Sequence, residues 1–319
     1  MIRGPLVDPS YKPQFSGHET FPLKYGWLKK AFDALTRDPS KSGRLIFSED
    51  EAISLFGVGK NMVTSIRYWA TSSGIISDGS KGEEIKVTRL GRRLFGEHGH
   101  DPYMEDPATS WIVHWHLCGR PGRTTWFWAF SHLPTLSFDR DTLVQGLLGL
   151  ASDRGWPRVA PTTVKRDVEC FLRTYSSRWR SAASLSHEEE LESPLVELGL
   201  IKPVGKKDGF RMVRGPKTTL GDGVFAFALL DFWGQYSRAN TLSLEAIAHE
   251  PGSPGRVFLL DEDDLVERLS GIEDITDGAL TWSKTAGLKQ VIRVRSVSAK
   301  QAEQMVEFDF PVRSKREAA

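Results

Sequence analysis

The chain of 319 residues has few of the features that mark secreted, membrane or zinc-binding proteins. It contains only two cysteines, Cys118 and Cys170, too few for a disulfide framework or a thiolate zinc site. No apolar run approaches the roughly 18 residues that cross a bilayer, and the N-terminus MIRGPLVDPSYKPQ lacks the apolar stretch of a signal peptide. These absences predict a cytoplasmic protein without a membrane partner.

Excess charge is also lacking, because the formal net charge is only +1. This balance argues against a protein that coats nucleic acid over its whole surface, but the charge is unevenly distributed. Residues 57–93 and 154–180 are rich in lysine and arginine, whereas residues 261–277 are acidic. Two segments could therefore face phosphates, and the third would repel them.

The hydrophobic periodicity predicts a mainly α protein with small β-hairpins. We expect three regions: an N-terminal winged helix-turn-helix DNA-binding domain over 1–100, a helical middle region over 101–185, and a C-terminal α/β region over 186–319. The last is compatible with a second winged-helix-like module. The polar stretch 181–193 is the expected seam between the second and third regions.

The winged-helix prediction depends on the order of elements between residues 48 and 95. A short helix ends at Gly57-Val58-Gly59, and a second helix runs from about Lys60 to Thr71. Short apolar strands at 75–76 and 85–88 flank a polar turn, and another helix follows. Helix, glycine turn, helix, hairpin and closing helix in this order are typical of a winged helix.

Hydrogen-bonding side chains occupy one side of the second helix, with apolar residues opposite. In a helix-turn-helix this element enters the DNA major groove, where arginine forks onto guanine and asparagine onto adenine. The basic wing and closing helix extend the predicted surface, and a second basic patch follows in the middle region. The predicted DNA contacts are Lys60, Asn61, Thr64, Arg67, Tyr68, Lys81, Lys86, Arg89, Arg92 and Arg93, with Lys165, Arg166 and Arg173 in the second patch. A merely solvated helix face is the alternative.

The motif GHETFP at 17–22 contains the only candidates for catalysis, His18 and Glu19, since imidazole and carboxylate can move protons or bind metals. The alternative is a structural role for this stretch, because adjacent side chains usually point apart. The acidic residues at 49–51, 222, 231 and 261–264 match no nuclease spacing. GVGKNM lacks the GxxxxGK[ST] spacing, so no nucleotide cofactor is expected.

Several longer stretches carry a family resemblance: FSGHETFPLKYGWLKKAFDAL, FGVGKNMVTSIRYWATSSGII, VTRLGRRLFGEHGHDPYMEDPATSWIVHWHL and ESPLVELGLI. Together they resemble the SspB-like family, a bacterial domain of unknown function from single-strand DNA phosphorothioation systems. The resemblance implies a DNA-nicking component that acts with a cysteine desulfurase, an ATPase and a PAPS-reductase-like protein in anti-phage defence. It carries over no catalytic position.

Three hypotheses follow from the sequence. The first is a DNA-binding nickase, for which a divalent metal such as Mg²⁺ would be the natural cofactor. The second is a non-enzymatic adaptor that brings the sulfur-transfer proteins to double-stranded DNA. The third is a winged-helix transcriptional regulator. A homodimer is compatible with each of them.

Overall fold

The computed structural model describes residues 3–38, 40–77, 84–177, 193–205 and 209–311. Within these ranges the protein is mainly helical with small antiparallel sheets, as the sequence predicts. The α-helices are α1 (Trp27–Arg37), α2 (Gly43–Ile46), α3 (Glu49–Phe56), α4 (Lys60–Ser72), α5 (Arg89–Phe95), α6 (Pro107–Cys118), α7 (Thr124–His132), α8 (Arg140–Asp153), α9 (Pro161–Tyr175), α10 (Asp222–Tyr236), α11 (Leu244–His249), α12 (Pro254–Val257), α13 (Glu262–Ser270), α14 (Ile272–Ile275) and α15 (Ala299–Met305). The strands are β1 (Ser137–Asp139), β2 (Ile201–Val204), β3 (Gly209–Met212), β4 (Thr241–Ser243), β5 (Leu280–Ser283) and β6 (Gln290–Arg293).

The N-terminal region contains the predicted helix, glycine turn and helix as α3 and α4. Gly57 ends α3 in the left-handed conformation with φ +65°, which glycine adopts without a steric penalty. Helix α4 packs against both α3 and α1. Where the sequence predicts the hairpin, a single antiparallel bridge joins Ile76 and Val87, and the predicted turn at 78–83 lies outside the described residues. Helix α5 follows this bridge, capped by the Thr88 hydroxyl, which accepts a hydrogen bond from the Gly91 amide.

Two three-stranded sheets have the same topology. In each, the strand that comes third in the chain lies in the middle, giving the orders β1-β3-β2 and β4-β6-β5. In each, two or more helices separate the first strand from the other two. The sequence predicts only helices between residues 101 and 185, so β1 was missed there. Its partner β3 lies beyond the predicted seam, so this sheet connects the middle and C-terminal regions.

The aromatic segment between residues 107 and 132 forms the centre of the core. Helices α6 and α7 are buried over most of their length, and four tryptophans pack inside. These are Trp111, Trp115, Trp126 and Trp128. No helix in the described ranges is long and apolar enough to cross a membrane.

His114, in this core, makes stability depend on pH. Its side chain is fully buried between the Tyr175 hydroxyl, 2.8 Å from Nδ1, and the Val257 carbonyl, 2.8 Å from Nε2. Because Nε2–H must donate to that carbonyl, Nδ1 accepts from the tyrosine and the ring is neutral. Burial lowers the pKa of His114 from 6.5 to about 4.

We therefore expect acid to destabilise the fold through this residue. Below pH 6.5 the unfolded chain takes up a proton that folded His114 refuses until about pH 4, so the unfolding free energy falls by about 3 kcal/mol across that window. Urea unfolding at several pH values measures the slope. In His114→Gln the unfolding free energy should fall less steeply with pH between 6.5 and 4, because about one proton fewer is taken up on unfolding. Equal slopes in the two proteins would contradict this assignment.

Candidate nucleic-acid interface

Helix α4 presents four of its five predicted DNA contacts to solvent. The side chains of Lys60, Asn61, Thr64 and Arg67 are exposed. The opposite side of the helix is buried in the core through Val63, Ile66 and Trp69. The predicted amphipathic arrangement is therefore present, and a polar stripe stands on an anchored helix directly behind the glycine turn.

Tyr68 does not belong to this stripe, and the prediction that it is exposed was wrong. Its side chain is buried, with the Arg123 guanidinium over its ring at 4.6 Å and the His18 ring edge-on at 5.5 Å. At 100° per residue, Tyr68 lies about 80° around the helix from Lys60. The Tyr68 side chain therefore faces the N-terminal segment, which covers this side of α4 at Tyr68. Burial raises the pKa of Tyr68 above its ordinary range.

The predicted wing and arginine cluster are only partly available for DNA. Lys81 lies outside the described residues, whereas Lys86 and Arg92 are exposed. Arg89 donates to Glu303 through Nε at 3.1 Å and Nη2 at 3.2 Å. Arg93 is mostly buried and pairs with Glu307. Of the three arginines predicted to contact DNA, Arg89 and Arg93 are therefore paired with carboxylates of the C-terminal region, and Arg92 is exposed.

In the first four residues of the GHETFP stretch, here called the GHET motif (17–20), His18 belongs to a buried polar pair and not to an open site. His18 is 3% exposed, and its Nε2 lies 2.7 Å from Oδ1 of Asp167 on α9. The Thr20 amide donates to His18 Nδ1 at 3.0 Å, so Nε2 carries the proton and donates to the carboxylate. Asp167 accepts a second bond at 2.5 Å from the Thr125 hydroxyl. Both ring nitrogens of His18 are thus satisfied inside the protein.

Glu19 points outward, so the predicted His18 and Glu19 pair does not converge on one site. Glu19 and Thr20 both adopt left-handed backbone conformations, with φ +46° and +66°. Gly17, with φ +113°, passes over Tyr68, where an added Cβ would lie 2.8 Å from a ring carbon. Such a turn costs conformational energy, and the surrounding contacts must hold it in place.

Asp222, Asp231 and Asp261, three of the acidic residues named above, have structural partners. Asp231 accepts two bonds from Arg120 and one from Trp115, and Asp222 pairs with Arg268 at 2.9 Å. Asp261 caps α13 by accepting from the Asp264 amide. Among the residues that the structure describes, no three histidines, cysteines or acidic residues are grouped so as to hold a metal ion.

The second basic patch lies on α9, where Lys165 and Arg166 are exposed. Arg173 is half-buried and donates to the Thr20 carbonyl at 3.2 Å, so it supports the GHET turn. The two exposed cations line a cleft of about 350 Å³ whose other walls the sequence did not reveal. These walls are provided by Thr20, Arg140, Asp141, Val144 and Glu169. No local pattern singles out these residues, because the cleft is formed by segments that are far apart in sequence.

Comparison with known proteins gives the family. The profile of the family described as "Protein of unknown function (DUF4007)" matches residues 15–309. The chain is similar to a magnesium ion-bound SspB crystal structure at 27% identity and a TM-score of 0.81, covering 97% of this chain and 90% of that one. A second SspB crystal structure matches at 27% identity and 0.80, covering 96% and 90%. No curated protein matches. The expected resemblance is confirmed, and the chain belongs to the DUF4007 family.

Proposed function

We propose that this protein is the DNA-binding, strand-nicking component of a bacterial DNA phosphorothioation system. The similarity to SspB along 97% of the chain is the observation that carries the proposal. In such a system a nick by phosphodiester hydrolysis would accompany the replacement of a non-bridging phosphate oxygen by sulfur. The partners would be duplex DNA and the sulfur-transfer proteins: a cysteine desulfurase, an ATPase and a PAPS-reductase-like protein.

The exposed stripe on α4 supports the DNA-binding part of the proposal. In a winged helix-turn-helix, Lys60, Asn61 and Arg67 would lie against the major groove, with Thr64 between them. Arginine and asparagine can make two hydrogen bonds to one base edge, and lysine can contact a phosphate or guanine. Lys86 and Arg92 would add phosphate contacts beside the groove. This surface combines groups for reading bases with groups for binding the backbone.

A plasmid relaxation assay tests the nicking part. Supercoiled plasmid is incubated with the protein in Mg²⁺, and in parallel with EDTA. We expect open-circular plasmid with Mg²⁺ and none with EDTA, because strand hydrolysis by carboxylate-based nucleases uses a divalent ion. Plasmid that stays supercoiled under every condition, although the protein binds it, would refute the nickase.

A non-enzymatic adaptor is the second candidate, and the GHET motif favours it. The predicted catalytic residue His18 is buried, and both its ring nitrogens have partners. An adaptor would bind duplex DNA through α4 and deliver the sulfur-transfer proteins without cutting. Binding without relaxation in the plasmid assay, together with retention of those proteins on the DNA only when this chain is present, would support it.

A further inference from the structure

The cleft beside α9 brings together three chain segments that are far apart in sequence. One wall is the first turn of α8, the second is the exposed side of α9, and the third is Thr20 of the GHET turn. Its volume of about 350 Å³ is near the lower end of the range typical of small-molecule sites, roughly 300–1,000 Å³. It can therefore accept one phosphate with its sugar, but not a double helix.

The charges in the cleft favour an anion. Arg140 and Glu169 neutralise each other, because Nε of the arginine lies 3.0 Å from Oε2 of the glutamate. Asp141 stands in the first turn of α8, where the helix dipole stabilises a carboxylate. Within the described ranges no ion pair involves the side chains of Lys165 and Arg166. These two cations are the ones available to a ligand.

The remaining lining suits a phosphate and offers a base no stacking surface. No aromatic ring lines the cleft, so a base would find no stacking surface. Val144 is its single apolar residue, and Thr20 adds a hydroxyl. Lysine, arginine and a hydroxyl are the groups that proteins commonly place on phosphate oxygens.

The third wall is held rigidly in place. The Thr20 amide donates a hydrogen bond to His18 Nδ1, and Arg173 of α9 donates to the Thr20 carbonyl. His18 is in turn bound to Asp167 on the same helix that carries Lys165 and Arg166. These hydrogen bonds therefore connect the strained turn at 17–20 to α9, which carries Lys165 and Arg166. Strain of this kind persists where surrounding contacts fix it, often beside binding sites.

We infer that this cleft binds one backbone phosphate of a DNA strand, as a second contact separate from the α4 surface. The inference deepens the proposed function and rests on its DNA-binding part, not on nicking. Lys165 and Arg166 hold the phosphate oxygens, Thr20 donates a hydrogen bond, and the His18 and Asp167 pair positions the turn.

The test compares two double variants with the same loss of charge. Lys165→Ala/Arg166→Ala empties the cleft of its available cations, and alanine preserves the helix. Arg238→Ala/Lys284→Ala removes one exposed arginine and one exposed lysine from loops beside the C-terminal sheet. Fluorescence anisotropy in EDTA measures binding of a short labelled single strand at several salt concentrations. Thermal unfolding checks that both variants fold.

We expect only the cleft variant to lose strand affinity. Losing one phosphate contact on a single strand lowers the slope of log K against log salt by about 0.7, which corresponds to a roughly 5-fold loss at about 0.1 M salt. The swap Lys165→Arg/Arg166→Lys should restore most of the affinity. Equal losses in both double variants would overturn the inference. So would unchanged strand affinity combined with lost binding of inorganic phosphate, which would assign the cleft to free phosphate.

This experiment is independent of cleavage because EDTA is present throughout. Wild-type protein that binds strands through the cleft but never relaxes plasmid would refute the nickase and leave the cleft assignment intact. Plasmid relaxation that is unchanged in the cleft variant, with unchanged strand affinity, would refute the cleft alone.

Discussion

Replacing Asp167 by alanine should destabilise the protein by about 3–5 kcal/mol, because it breaks a buried, hydrogen-bonded pair. Asp167 is 1% exposed and accepts bonds from His18 and Thr125. Its removal leaves an imidazole N–H and a hydroxyl without partners in the interior, and each such group costs about 1–3 kcal/mol. Urea unfolding followed by tryptophan fluorescence measures the loss.

Two further variants make this prediction specific to the buried pair. Asp167→Asn keeps an oxygen that accepts from His18, so its loss should be about half that of the alanine variant. Asp33→Ala removes the acidic partner of an exposed i,i+4 pair with Lys29 on α1, where the expected change is within about 0.5 kcal/mol. If Asp167→Ala unfolds within about 1 kcal/mol of wild type, the pair does not anchor the GHET turn.

Local patterns predicted the helices well, because a helix with one buried side has hydrophobic residues that recur at helical spacing. The glycine turn and the amphipathic α4 follow directly from the spacing of Val63, Ile66 and Trp69, and the exposed stripe from the residues between them. Strands of three or four residues are too short for a periodic signal, so β1 was absorbed into the following helix.

Long-range contacts decided what the local patterns could not. Tyr68 has the spacing of an exposed residue, but a segment about fifty positions earlier covers it. Arg89 and Arg93 form a basic cluster in sequence, but Glu303 and Glu307 neutralise them from more than two hundred positions away. The His18 partner Asp167 is likewise distant. No spacing within a single segment encodes these pairs, so charge and burial could be assigned only in three dimensions.

These ion pairs also determine which arginines of the predicted DNA surface are available to bind a phosphate. Arg89 must give up its bond to Glu303 before it can bind a phosphate, whereas Arg67 and Arg92 are exposed. A cation that is already paired contributes little net attraction to a third charge. We therefore expect the centre of the proposed interface on α4 and not on α5.

The triple variant Lys60→Ala/Asn61→Ala/Arg67→Ala should accordingly lose at least about 100-fold in duplex affinity. A base-contacting arginine contributes about 1–3 kcal/mol, and a phosphate-contacting lysine lowers the salt slope by about 1. The three side chains are exposed, and Val63, Ile66 and Trp69 remain to hold α4 on the core, so the fold should be unchanged. Anisotropy of a labelled duplex at several salt concentrations measures both quantities.

The chain offers a control of identical composition, because Arg238, Asn240 and Lys284 are exposed beside the C-terminal sheet. Changing all three to alanine removes the same residue types and the same charge, so only a general electrostatic effect would make the two triple variants equal. A large loss confined to the α4 variant assigns the groove contact to that helix. Full duplex affinity in the α4 variant would show instead that its exposed stripe is only a solvated face, and the DNA-binding proposal would lose its structural basis.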